Sequence, residues 1–92
     1  MIFLRHERMH QHVEGARRQR VKHEAGLVIQ KIDGNPLLSA RFGTIAKTVA
    51  AIRDRQVAHA SGMQLGILEK RVHSCHTTIQ GAESHFRGKL LQ

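Results

Sequence analysis

His6, Glu7 and His10, within the stretch FLRHERMHQHVEG from Phe3 to Gly15, are spaced H-E-x-x-H. On a helix this sets two imidazoles one turn apart, able to share one zinc ion, with the glutamate between them placed to activate a zinc-bound water. A second cluster of metal-ligand types, His73-Ser74-Cys75-His76, lies late in the chain. There Cys75 falls on the apolar face of its expected helix and the two histidines on a flank, so the three do not converge on one ion. Cys75 is expected to behave as a small buried hydrophobe, since a nucleophile would need a lowered thiol pKa and an orienting partner. GILEK and GNPLLSARFG lack the glycine and lysine spacing of a phosphate loop.

The string LRHERMH resembles the zincin metallopeptidases and is similar to the membrane-embedded peptidases of antibiotic-sensor proteins. The resemblance implies His6 and His10 as zinc ligands and Glu7 as the general base. It covers this string alone. Arg8 is charged where the zincin pattern is uncharged, His12 stands at an apolar place, and Val13 and Ala16 replace the glycine and histidine of the metzincin extension. A peptidase also needs a cleft, a third ligand and a second shell, all from one small domain. The expectation is therefore a protein that is not an enzyme and holds no cofactor, its histidines solvated on a basic helix.

The basic residues carry more weight. Fifteen Lys and Arg against seven Asp and Glu give a formal net charge of +8, with eight histidines able to add to it as pH falls. GARRQRVKH places Arg17, Arg18, Arg20 and Lys22 within six residues, and Arg53, Arg55, Lys70 and Arg71 form a second set further on. If the two sets share a side they make a phosphate-binding face, one suited to neutralising phosphates more than to reading base edges. There is no Trp or Tyr and there are three Phe, so stacking platforms for single-stranded bases are nearly absent. The leading expectation is a small non-catalytic binding protein for an anionic partner, with nucleic acid ranked first. Beside it stand a homo-oligomerisation module using the Leu65 to Ile79 face, a zinc hydrolase at His6 and His10, and an unselected reading frame, whose product can have this composition.

These side chains need elements to position them. A chain of 92 residues supports one domain with a modest core. One cysteine excludes an intrachain disulfide and a Cys-rich zinc finger, and no run of about 18 apolar residues exists. A cytoplasmic protein is expected.

The predicted fold is mainly α: a basic N-terminal helix over 1–24, loosely attached, a core over 25–80 and a tail over 81–92. Ile2, Met9, Val13, Ala16 and Leu27 would line the inner face of the first helix, with His6, Arg20 and His23 interrupting it. The branched run Leu27 to Ile32 before Asp33-Gly34-Asn35-Pro36 reads as a short strand or extended turn near 27–38. The alternative makes Asn35 an N-cap and Pro36 the first position of a short helix ending before Gly43. From Thr44 a helix is expected with Ile45, Val49 and Ile52 on one face. Ser61 and Gln64 match a capping box, opening a helix whose seam is Leu65, Leu68, Val72, Cys75 and Ile79. The two helices would pair antiparallel about Ser61-Gly62.

Overall fold

The computed structural model describes the backbone of residues 2–91 and the side chains of residues 13–88. It is mainly α, and the described residues contain no strand. The first helix, α1, runs over Ile2–Asp33. The expected strand at 27–32 is thus corrected, because Ala25, Val28 and Ile32 are buried at spacings of three and four. Branched side chains tolerate a helix when burial at its period outweighs a local β preference. Position 24, where the sequence suggested a boundary, lies inside this helix.

The chain then reverses over two residues. Gly34 N–H donates to the Gln30 carbonyl at 2.9 Å, and a Cβ at position 34 would stand 3.1 Å from that same oxygen. Asn35, extended at φ −134° and ψ 111°, caps the next helix by accepting from Leu37 N–H at 3.0 Å and Leu38 N–H at 3.4 Å. Pro36 follows at the first position, where its missing N–H costs nothing. This helix, α2, covers Pro36–Ala51 and does not stop before Gly43; it bends at Phe42, whose φ of −117° and ψ of 24° leave helical values. Thr44, expected to begin a helix, lies inside α2.

A π-helical turn spans Ile52–Gln56, and a last short piece, α3, covers Val57–His59. The turn answers the spacing of the apolar residues. Leu38, Val49, Ile52, Val57 and Ala60 are all buried, and the step from Ile52 to Val57 is five residues. A continuous α-helix would carry Gln56 and His59 inward instead, whereas a wider turn with i→i+5 bonds keeps Val57 and Ala60 on the core side.

Ser61 and Gln64 then form the expected capping box. Ser61 N–H donates to Gln64 Oε1 at 3.0 Å, and Gln64 N–H donates to Ser61 Oγ at 3.2 Å. They open α4, Gly62–Leu91. Its seam is buried at Leu65, Leu68, Val72 and Ile79, with Cys75, Ala82 and Phe86 packed against the core.

Contacts across the molecule set the topology. Arg18 meets Val57, so α2 and α3 run back along α1. Glu14 lies beside Gly62, Arg17 beside Glu69, and Glu24 beside His76, so α4 advances in step with α1. The result is an up, down and up arrangement of 64 × 22 × 18 Å, elongated because α1 extends below the start of α4 and α4 extends above the end of α1.

Two further expectations are corrected by the core. Its α1 contribution is Val21, Ala25, Val28 and Ile32, whereas Val13 is 54 % exposed and Ala16 is also exposed; the stripe is rotated from the one read first. The Leu65 to Ile79 face, expected to be open for self-association, is packed inside the chain, with Leu65, Val72 and Ile79 at 0 % exposure.

Leu65→Ala should therefore destabilise the fold by about 2–5 kcal/mol, the range for truncating a buried leucine. Met63→Ala, two positions away at 82 % exposure, should change stability by less than about 0.5 kcal/mol in the same urea titration.

Candidate functional site

The basic run of α1 does two different jobs. Continuing the buried positions Val21 and Ala25 toward the N-terminus by helical steps reaches Arg18, Arg17 and Glu14. Arg18 Nη1 donates to the Val57 carbonyl at 2.6 Å, and Arg18 Nη2 lies 3.7 Å from Glu14 Oε2. Val57 is the first residue of α3, near the C-terminal end of the α2–α3 column, where a cation is favoured; its carbonyl also accepts from Ala60 N–H at 3.4 Å. Arg17 Nε donates to Glu69 Oε1 at 2.6 Å across to α4. The glycine at 62 makes room, since a Cβ there would come within 3.2 Å of Glu14 Oε1. Arg17 and Arg18, read from sequence as binding residues, hold three helices together.

Arg20 and Lys70 emerge on the surface. With Val21, Glu24, Glu69 and His73 they line an open hollow of about 320 Å³ between α1 and α4. This brings together one member of each predicted set, but beside two carboxylates. Lys22 is half-buried, and Arg55 and Arg71 are exposed. Arg53 is engaged by its neighbour: Nε and Nη2 donate to the two Asp54 oxygens at 2.7 and 3.2 Å. That hydrogen bonding holds the Asp54 carboxyl below the usual carboxylate range, so the pair stays charged and internally neutral. Arg55 does not line the hollow of Arg20 and Lys70. Lys47 and Arg55 line a separate hollow of about 290 Å³ with Ala50, Ala51 and Asp54, all of them on α2 and the π turn.

Sequence reading missed Arg41 and Lys47, both exposed. They are isolated in a run of small and apolar residues, and only the outward face of α2 gives them company. The signal was the scarcity of acids there: Asp54 is the sole one between Pro36 and Ser61.

The side chains of His6 and His10 lie outside the described residues, although the backbone around them is helical. Among the described residues no group of three His, Cys, Asp or Glu is arranged to hold a metal ion. Cys75 packs against the core, while His73 and His76 turn toward Glu24, with Nδ1 3.5 and 3.2 Å from its Oε1. Burial pushes the Cys75 thiol up, and the nearby Arg71 offsets this in part. No helix among the described residues is long and apolar enough to cross a membrane.

Two outcomes check these placements. Arg18→Ala should lower stability by about 1–2 kcal/mol, because the Val57 carbonyl loses a charged donor, whereas Arg20→Ala should leave the melting temperature within about 1 °C. Cys75 should react with a disulfide reagent more slowly in the native chain than in urea. Its native rate should climb with pH beyond the range where an ordinary thiol has levelled off, since the thiolate is the reactive form. A native rate equal to the unfolded one at every pH would contradict the burial. No protein-family model matches the chain, and no curated protein or solved structure matches it.

Proposed function

We propose that the protein is a small, non-catalytic, basic binding module whose partner is nucleic acid. The observation that carries this reading is the set of cations left over by the fold. Arg20, Lys22, Lys31, Arg41, Lys47, Arg55, Lys70 and Arg71 have no ion pair among the described residues, while Arg17, Arg18, Arg53 and Arg87 do. Unpaired surface cations displace counterions from a phosphate backbone, the term that supplies most sequence-independent affinity. The spread of these residues around the bundle, and the lack of Trp and Tyr, favour phosphate contact over base stacking or base reading.

The test is a fluorescence-anisotropy titration of mixed-sequence DNA and RNA duplexes between 50 and 200 mM salt. With about four phosphates neutralised, log affinity should fall against log salt with a slope near −3.6, roughly a hundredfold over that range. Affinity that is weak and indifferent to salt would overturn the reading.

A further inference from the structure

We propose that the nucleic acid rests on the outer face of α2 and its π turn, with Lys47 and Arg55 as the paired phosphate contacts. This rests on the reading above and assigns it to one surface. Between Pro36 and Ser61 there are four cations, Arg41, Lys47, Arg53 and Arg55, and one acid, Asp54, a balance of +3. Asp54 is already neutralised by the two hydrogen bonds from Arg53. Lys47 and Arg55 are exposed and form no ion pair among the described residues, although the charge of Arg55 also helps to hold the Asp54 carboxyl down. The hollow between α1 and α4 sets Arg20 and Lys70 beside two carboxylates, Glu24 and Glu69, against the one, Asp54, that lines the hollow of Lys47 and Arg55.

The π turn is what aligns the two cations. In an unbroken α-helix, positions 47 and 55 differ by eight steps of about 100°, which leaves them roughly 80° apart. The wider turn over Ile52–Gln56 advances the chain by a smaller angle per residue, which closes this gap, and both side chains line one hollow. Ala50 and Ala51 line that hollow with small side chains, and its one carboxylate, Asp54, is held by Arg53, so a phosphate can approach the helix between the two cations.

The character of the face selects the partner. Of the exposed large hydrophobics among the described residues, Val13, Leu37, Met63 and Ile67, only Leu37 belongs to α2, in its first turn ten residues before Lys47, so no large apolar side chain is exposed between Lys47 and Arg55 to anchor a protein partner or to insert among lipid headgroups. Phe42 is half-buried against the core and its ring is covered by the Arg41 guanidinium, 5.6 Å from the ring centroid, which leaves it a poor platform for a single-stranded base. A duplex backbone, which asks for cations on a shallow surface, fits what remains.

The experiment compares salt slopes for a mixed-sequence DNA duplex bound by the full chain and three double variants, each first shown to keep its helical circular dichroism. Lys47→Gln with Arg55→Gln should weaken binding at least tenfold in low salt and make the slope shallower by about 1.8, the contribution of two phosphates. Lys47→Arg with Arg55→Lys should retain both affinity and slope. Arg20→Gln with Lys70→Gln should change the slope by less than about 0.5. A loss confined to the Arg20 and Lys70 variant, in a wild-type chain that binds duplex, overturns the choice of face and leaves the nucleic-acid reading standing. A wild-type chain that ignores duplex but binds phosphatidylserine-rich vesicles overturns both.

Discussion

The bundle turns on the point where α1 stops offering apolar side chains to its neighbours. Above Val21 its inner stripe is aliphatic and packs conventionally; below it the same stripe is Arg18, Arg17 and Glu14. Three helices cannot close around charged side chains unless each is satisfied, because a polar group left without a partner away from water costs more than a hydrogen bond returns. The chain meets this with donors long enough to cross the gap. Arg18 reaches the Val57 carbonyl of α3 and Arg17 reaches Glu69 of α4, so the layer that lacks a hydrophobic seam is tied by charge-assisted bonds. No buried side-chain nitrogen or oxygen among the described residues is left without a partner.

That layer depends in turn on the π turn. Val57 presents its carbonyl where Arg18 can reach it because the five-residue step from Ile52 keeps Val57 on the inner side. The same local widening carries Arg55 round toward Lys47 on the outer side. One irregularity thus serves the core and the surface at once, which fits the tendency of π turns to persist where they do more than connect α segments.

What could be read in the sequence divides along the range of the interaction. The capping box of Ser61 and Gln64 and the seam from Leu65 to Ile79 were legible, since each is written within one helix at fixed spacing. The turn at Gly34-Asn35 was legible as a reversal, but its branched flank drew a strand reading that only burial against α2 and α4 overrides. The inner face of α1 was misread for a related reason. Val13, Ala16 and Leu27 keep a helical period as well as Val21, Ala25, Val28 and Ile32 do, and periodicity alone cannot rank two stripes. The five-residue step at Ile52 passed unnoticed because an α period of three and four has no place for it. The basic run was legible as charge and illegible as role: Arg17 and Arg20 look alike in sequence, yet one guanidinium donates to Glu69 across to α4, while the other is exposed at an open hollow and forms no ion pair among the described residues.

The histidines carry the same lesson further. H-E-x-x-H is a statement about one turn of one helix, and it can be written in α1 with nothing else in the chain taking part. A site needs convergence, and the convergence that the described side chains show runs between helices: Glu24 of α1 stands between His73 and His76 of α4, some fifty residues away. That constellation has no motif, because its spacing is set by the parallel course of α1 and α4 and by the length of everything between them. It also separates Cys75 from the two histidines that flank it in sequence, since successive positions on a helix face different ways and only Cys75 is turned to the core. Local clusters of ligand-type residues therefore report helix faces, and which of those faces meet is decided by where the aliphatic side chains go.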